Sequence, residues 1–255
     1  MKKTILIIFL FSMGWAEPQL GNGSADLLST GRREIGLFSP FRMGLNNGAE
    51  INVNKFLLFP SVSYKSEMSQ FRRWKMAYRI QVAYPTMAMR WLQSPIGMKL
   101  GEPDMFALIS PEFTIPQMAS VYGELMGTIG TASDEQLSIN GGISIGLNGK
   151  ELVQRATVDL PIIYPRLSVY YNGILIKIGG EYYRKFKGRW SYIMDYDMFL
   201  MPGGDGRFAF EQKGLLIWTK SRKFKFLFGY KLVAGEYPYG SQAHLFPAMD
   251  FQFGW

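Results

Sequence analysis

The sequence predicts an all-β chain that folds as a transmembrane, antiparallel, up-and-down β-barrel of about 12 strands, with 10 to 14 left open. Many segments alternate apolar and polar residues with a period of two, which is typical of β-strands. The mean hydropathy is −0.01, as expected where lipid-facing and interior side chains alternate along each strand. Candidate strands reach roughly eleven to fourteen residues, whereas strands of soluble sandwiches commonly have about five or six.

The last segment of the chain shows this alternation most clearly. Every second residue is apolar: Leu245, Pro247, Met249, Phe251, Phe253 and Trp255. A strand that ends on an aromatic residue resembles the closing strand of bacterial outer-membrane β-barrel proteins. That resemblance implies that Phe251, Phe253 and Trp255 form the signal read by the barrel-assembly machinery. The closing strand is then expected to pair with the first strand, near residues 34–45.

The amino terminus has the three parts of a secretory signal peptide. Lys2 and Lys3 precede an apolar run over 4–11, and Gly14 and Ala16 occupy the small-residue positions before a cleavage site. The apolar run is shorter than the ~20 residues that a spanning helix needs. We therefore expect residues 1–16 to be removed after Ala16. Together with the resemblance to outer-membrane β-barrel proteins, the signal peptide implies that the mature chain lies in the outer membrane of a Gram-negative bacterium, in contact with outer-membrane lipid.

The mature chain divides into a short leader and one barrel. Residues 17–33 are rich in Gly and Ser without clear periodicity, and we interpret them as a periplasmic tail or a plug segment. Residues 34–255 form the barrel. Strands are expected at about 34–45, 49–59, 61–65, 74–84, 136–147, 151–160, 162–171, 174–186, 189–200, 207–219, 222–235 and 245–255.

The region 86–131 is broken by four prolines, and we expect a loop at 96–108 and one or two strands within 113–126. All candidates together number about fifteen, which is odd, whereas single-chain bacterial barrels have even strand numbers. About 239 residues remain after Ala16, and at about 20 per strand and connection they favour twelve. The final strands alternate short turns, at 187–188 and 220–221, with longer loops at 201–206 and 236–244. If the carboxyl terminus is periplasmic, those longer loops are external.

The alternation also predicts what faces the interior. A soluble sandwich remains an alternative, because an apolar face and a charged face would suit it too. In a barrel the charged face lines the lumen, and the expected lining residues are Lys177, Glu181, Asp195, Asp197, Glu211, Lys213, Lys223, Lys225, Lys231 and Asp250. Both signs occur on neighbouring strands. They suit either a salt-bridged structural interior or a selectivity lining for small polar solutes, and both remain open.

Three functions follow from this fold. The first is a passive channel for small polar solutes, and the second is a non-conducting structural or anchoring barrel. The third is a lipid-modifying enzyme that uses the single His, His244, with Ser241 and Glu236 close in sequence. The chain has no Cys, and its Gly pairs lack the residues of a phosphate loop, so no metal or cofactor is expected. The net charge of +8 is dispersed, which argues against nucleic-acid binding.

Overall fold

The computed structural model describes residues 23–55, 60–93, 114–132, 134–148, 152, 162–203, 206–237 and 240–255. In this part of the chain, 12 antiparallel strands form one closed barrel. Each strand pairs with its neighbours in sequence, and the last pairs with the first. The prediction of an all-β, up-and-down barrel of about 12 strands is therefore confirmed, and the sandwich alternative is wrong.

The strands are β1 (Arg33–Gly36), β2 (Phe41–Leu45), β3 (Ala49–Asn54), β4 (Ser61–Phe71), β5 (Trp74–Ala83), β6 (Ala119–Ala132), β7 (Glu135–Asn148), β8 (Ile174–Lys187), β9 (Trp190–Leu200), β10 (Phe208–Ser221), β11 (Phe224–Tyr237) and β12 (Gly240–Gly254). Two helices, α1 (Thr86–Gln93) and α2 (Tyr164–Asn172), lie in long connections between strands. No helix in the described ranges has the length and apolar character needed to cross a membrane.

The barrel closes where β12 meets β1, with Glu34 opposite Gly254. The segment 34–45 was expected to be one strand, and this is wrong: it contains β1 and β2, separated by residues 37–40. Two backbone groups explain why residues 37–40 do not continue the strand. The amide of Phe38 donates to the Asp250 carboxylate at 3.0 Å, and Pro40 has no amide hydrogen to donate to a ladder.

Two further expectations are corrected. The segment 162–171 was expected to be a strand, but it contains α2, which has Pro165 in its first turn and ends at Gly173 with φ 82°. Proline early in a helix and a left-handed glycine after it are ordinary helix boundaries. The expected loop at 236–244 is also wrong, because β11 continues to Tyr237 and β12 begins at Gly240. The expected strand at 151–160 and loop at 96–108 lie outside the described residues, apart from Leu152.

The two ends of the barrel differ. At the end that holds Trp255, consecutive strands are joined by connections of two or three residues, at 46–48, 72–73, 133–134, 188–189 and 222–223. We call this the short-turn end. The opposite, long-loop end carries the connections 84–118, 149–173 and 201–207. The expected alternation of short turns and longer loops is therefore present, although the β11–β12 connection is short.

Along the strands the outer face is apolar, whereas the inner face carries the charged groups together with some apolar residues, such as Ile193 and Leu227. In β9, Met194, Tyr196 and Met198 are exposed, whereas Asp195 and Asp197 between them are buried. Successive side chains of a strand point to opposite sides of the sheet. In a closed barrel those two sides are the interior and the outer wall. Buried charge and exposed apolar side chains therefore define the inside and the outside of this molecule.

Candidate functional site in the barrel interior

The barrel interior is the candidate functional site, because the charged side chains converge there. Within the described ranges, eight acidic and eight basic side chains are largely enclosed. They are Glu34, Glu50, Glu124, Glu181, Asp195, Asp197, Glu211 and Asp250, and Arg42, Lys65, Arg79, Arg166, Lys177, Lys213, Lys225 and Lys231. The interior of the described chain is thus close to neutral in charge.

The predicted lining residues take two different positions. Lys223 lies in the turn between β10 and β11 and is exposed. The others lie on inward positions of β8 to β12, namely Lys177, Glu181, Asp195, Asp197, Glu211, Lys213, Lys225, Lys231 and Asp250. The structure therefore brings nine of the ten together inside the wall formed by the second half of the chain.

Ion pairs connect neighbouring strands in this half of the barrel. Asp195 on β9 stands directly opposite Lys213 on β10, and their charged atoms are 2.9 Å apart. Asp197 pairs with Lys177 on β8 at 3.0 Å. Opposite charges on facing positions stabilise a sheet, and enclosure strengthens their attraction. These pairs give each charge a local partner.

A second group of charges, on β1 to β4, was not among the predicted lining residues. Arg42 pairs with Glu50 at 2.7 Å, and the Glu50 side chain is fully buried. Lys65 is also fully buried. The signal for Arg42 and Glu50 was present in the sequence, because the predicted hairpin with its turn at 46–48 puts both residues on one face of two paired strands.

A third group lies between β5 and β6. Arg79 stands opposite Glu124 and forms an ion pair with it. The Tyr122 hydroxyl donates to the other Glu124 oxygen at 2.9 Å. The alternation of 74–84 had already placed Arg79 on the polar side of its strand, but its acidic partner lies in a region broken by prolines. That partner could be found only from the strand pairing.

The segment 23–32, which we call the inner segment, enters the barrel at the short-turn end: residues 29–31 are exposed there, and residues 23–28 lie in the interior in the half nearer that end. The Ala25 amide donates to the Thr128 hydroxyl at 2.7 Å, and the Leu28 amide donates to Glu50 at 2.9 Å. The Lys65 ammonium donates to the carbonyl of Asp26 at 2.7 Å. Polar side chains of the wall therefore hold the backbone of this segment in the interior.

Helix α2 occupies the interior in the half nearer the long-loop end. Its Tyr164, Leu167 and Val169 are buried in one apolar cluster. That cluster also contains inward residues of the wall: Leu175, Phe199, Ala209, Val233 and Tyr237. The Tyr170 hydroxyl lies 3.0 Å from that of Ser120 on β6, and burial raises the pKa of Tyr170 to about 12. A tyrosine hydroxyl is protonated at neutral pH even without this shift, so it is available for this hydrogen bond.

Both halves of the interior thus contain a piece of chain that does not belong to the wall. The inner segment is bound through its backbone by charged and hydroxyl groups. Helix α2 is bound chiefly through apolar contacts and through Arg166, which pairs with Glu211 at 2.6 Å. Any solute that crosses the lumen must pass or displace both elements.

The residues considered for catalysis are not brought together. Ser241 stands opposite Glu236, whereas His244 stands opposite Val233. Residues three apart on a strand point to opposite faces, so Ser241 and His244 lie on different sides of the wall. His244 instead hydrogen-bonds Gln242 at 3.0 Å. In the described ranges, no three His, Asp or Glu side chains are grouped as metal ligands.

The aromatic residues expected to form an assembly signal lie on the outer face. Phe253 and Trp255 are exposed, and Phe251 stacks on Phe226 of β11 with ring centroids 4.9 Å apart. The carbonyl of Trp255 accepts the Arg33 amide at 2.9 Å. These side chains sit at the seam where β12 closes on β1.

Comparison with known proteins adds little to this description. No protein-family model and no curated protein sequence matches the chain. Among solved structures, the chain is similar to the crystal structure of the outer membrane channel DcaP of Acinetobacter baumannii, with 7% identity and a TM-score of 0.36. The similarity covers 94% of this chain and 67% of that chain. At this score the likeness carries no argument about function.

Proposed function

We propose that the protein is an integral membrane β-barrel that serves as a passive route for small polar solutes. The observation that carries the membrane assignment is the reversed distribution of polarity in a closed wall. Charged groups such as Glu50 and Lys65 are fully buried inside, and apolar groups such as Ile178 and Leu125 are exposed outside. Water does not favour that arrangement, whereas a lipid bilayer requires it.

The lengths of the later strands support the same proposal, whereas β1, β2 and β3 have only 4, 5 and 6 residues. Strands β6, β7, β8, β10 and β11 each have 14 residues. At about 3.3 Å per residue and a tilt of about 40°, such a strand rises roughly 35 Å along the barrel axis. An apolar band of about 25 Å is sufficient for a membrane barrel. These strands therefore exceed the height of that band by roughly 10 Å.

The proposed solutes are small and polar, without a strong preference for one sign of charge. Enclosed acids and bases are balanced in number, and most stand next to a partner of opposite sign. Such a lining offers hydrogen bonds to polar or zwitterionic molecules but no net field to concentrate one kind of ion. The inner segment and helix α2 restrict the route, so passage is expected to be slow.

Planar-bilayer recording on the purified mature protein tests conduction directly. We expect small current steps with weak discrimination between potassium and chloride, because the interior charges are balanced. A strongly cation- or anion-selective conductance would contradict the proposed lining. The absence of steps across the accessible voltage range would exclude a passive route.

A second function, a non-conducting structural or anchoring barrel, is favoured by one observation. Helix α2 buries most of its residues against inward side chains of the wall, as a permanent filling would. The two functions differ in what happens when α2 is released. A gated route would gain conductance, whereas a permanently filled barrel would lose stability without conducting.

We further infer export to the outer membrane of a Gram-negative bacterium. Residues 1–16 would direct export and be removed after Ala16, and the barrel-assembly machinery would recognise Phe251, Phe253 and Trp255. Residues 1–22 lie outside the described ranges, so the support here is their sequence. Mature protein that begins at Glu17 in N-terminal sequencing is expected; an intact amino terminus would contradict cleavage.

The proposed orientation places the short-turn end in the periplasm. The chain has no Cys, so a single introduced cysteine is the only thiol that a maleimide can label, and its labelling shows which side of the membrane it faces. Pro202→Cys in the β9–β10 connection should react with a membrane-impermeant maleimide on whole cells. Lys223→Cys at the short-turn end should react only after the outer membrane is permeabilised. The reverse pattern would overturn the orientation.

A further inference from the structure

Seven exposed basic residues are gathered on one side of the short-turn end. They are Arg33, Lys185, Lys187, Arg189, Lys220, Arg222 and Lys223, and we call them the basic arc. They belong to the β8–β9 and β10–β11 reversals and to the start of β1. In the barrel the order of strands is β8, β9, β10, β11, β12, β1, so these three sites are consecutive along the rim.

The basic arc lacks local acidic partners. Among the described residues, no carboxylate lies within the 4.0 Å of an ion pair from any of its seven side chains. Two other bases at the same end are paired, Arg184 with Glu135 at 3.0 Å and Lys75 with Asp26 at 2.9 Å. The β4–β5 turn, Arg72 and Arg73, also lacks an ion pair among the described residues, but it lies apart from the basic arc along the rim. The enclosed acids and bases balance in number, so the interior charges do not offset these exposed bases.

A row of outward aromatic side chains lies next to the basic arc. Phe186, Trp190, Phe253 and Trp255 are 53%, 37%, 50% and 56% exposed. Aromatic rings concentrate at the boundary between the apolar core of a bilayer and its headgroups. Their position therefore puts the basic arc at the level of the lipid phosphates, if the barrel spans a membrane.

We propose that the basic arc binds the headgroups of anionic glycerophospholipids in the leaflet that surrounds the short-turn end. This rests on the proposed membrane barrel. An anionic phosphodiester accepts charge-assisted hydrogen bonds from guanidinium and ammonium groups, and clustered Lys and Arg next to a membrane attract acidic lipid. Lys185 stands opposite the buried Ser191 and so faces the mouth of the lumen. The other six bases, along three adjacent reversals, offer more than one lipid phosphate a place to bind.

The chain contains a matched control for this proposal. Arg222 and Lys223 form a dibasic turn within the basic arc, and Arg72 and Arg73 form another dibasic turn at the same end, between β4 and β5. The double variants Arg222→Gln/Lys223→Gln and Arg72→Gln/Arg73→Gln each remove two positive charges from a short turn. Native mass spectrometry of the detergent-solubilised mature barrel, titrated with phosphatidylglycerol or phosphatidylcholine, would count bound lipids.

The wild-type barrel should bind phosphatidylglycerol in preference to phosphatidylcholine, whose headgroup has no net charge. Loss of the basic-arc pair should weaken phosphatidylglycerol binding by about tenfold, while loss of the control pair should leave it nearly unchanged. Equal effects of the two double variants, or no effect of either, would overturn the basic arc as a binding site. Tighter binding of lipid A than of phosphatidylglycerol would overturn the proposed lipid.

The same samples separate this proposal from the one it rests on. A folded barrel migrates differently on gels before and after heating, and a membrane barrel requires detergent to stay in solution. If the protein requires detergent but shows no preference for phosphatidylglycerol, the proposal of a lipid site is wrong, while the proposal of a membrane barrel is retained. If the mature protein is soluble without detergent, the membrane proposal itself fails.

Discussion

The guanidinium of Arg166 on helix α2 meets the carboxylate of Glu211 on strand β10 through two hydrogen bonds, of 2.6 and 2.7 Å. The same carboxylate also accepts Lys231 of β11 at 2.7 Å. A two-point contact of this kind fixes orientation as well as distance. Glu211 therefore ties the helix inside the barrel to two strands of its wall, and this contact is the most direct means of testing what the helix does there.

Replacing Arg166 with Gln should loosen α2 while leaving the wall closed. Lys231 still neutralises Glu211, so the cost should be about 1–3 kcal/mol, below that of a buried charge left without a partner. If α2 gates a passive route, the mean conductance in planar bilayers should rise. Arg184→Gln removes an exposed arginine that pairs with Glu135 and serves as the control.

A stability loss without any gain of conductance in the Arg166 variant would contradict gating and favour a permanently filled barrel. A gain of equal size in the Arg184 variant would show that the change of charge, rather than the release of α2, altered the current.

Glu50 should be among the most sensitive acidic positions for stability. Its fully buried carboxylate accepts hydrogen bonds from Arg42, Asn52 and the Leu28 amide. Glu50→Gln removes the charge that balances Arg42 and weakens the hold on the inner segment, at a cost of about 3–5 kcal/mol. Urea unfolding followed by gel mobility measures this, and the exposed Glu67→Gln on β4 should unfold as the wild type does. A Glu50 variant as resistant as the Glu67 variant would contradict the role of this buried pair.

Two glycines on the neighbouring strands β6 and β7 should respond differently to the same substitution, because Gly142 stands opposite the inward Glu124 and Gly123 stands opposite the outward Ile143. A Cβ at Gly142 would lie 2.5 Å from the Gly123 carbonyl oxygen and 2.7 Å from the Tyr122 ring, whereas a Cβ at Gly123 would meet nothing within 4 Å. Gly142→Ala should therefore destabilise the barrel by about 1–3 kcal/mol through overpacking. Gly123→Ala should be close to neutral. Similar urea midpoints for the two variants would mean that the Gly123 backbone and the Tyr122 ring both shift at little cost.

The terminal aromatic residues should matter for assembly beyond the apolar area they expose. Phe253→Ala/Trp255→Ala should reduce the fraction of barrel that reaches the membrane in a folded, heat-modifiable form. Leu245→Ala, on the outer face of the same strand and also highly exposed, removes apolar area without touching the end of the strand. Equal yields of folded barrel from both changes would argue against a terminal assembly signal.

The alternation of apolar and polar residues along a strand is a local property of the sequence. It predicted strands wherever the two faces of a strand differ in polarity. Residues 74–84, 136–147, 174–186 and 189–200 were assigned within one or two residues of their strands because large apolar residues recur at most alternate positions, with mainly smaller or polar residues between them. The same alternation placed Asp195, Asp197 and Lys213 on inward positions before any pairing was known. Fold class and the inward face of the later strands were therefore determined by the sequence itself.

That helix α2 fills part of the barrel, and how the inner segment is held there, was decided only by the tertiary structure. The segment 162–171 has mixed apolar and polar residues that suit a short strand or a short helix, and it is helical because Phe199, Val233 and other inward side chains give its apolar residues an enclosed surface to pack on. Likewise, Ala25 binds Thr128 across 103 residues of chain. Such contacts depend on which strands surround the lumen. A local sequence pattern does not indicate which residues, far apart in the chain, will meet there. The sequence by itself specified a barrel with a charged interior; closure of the wall brought the inner segment and α2 into it.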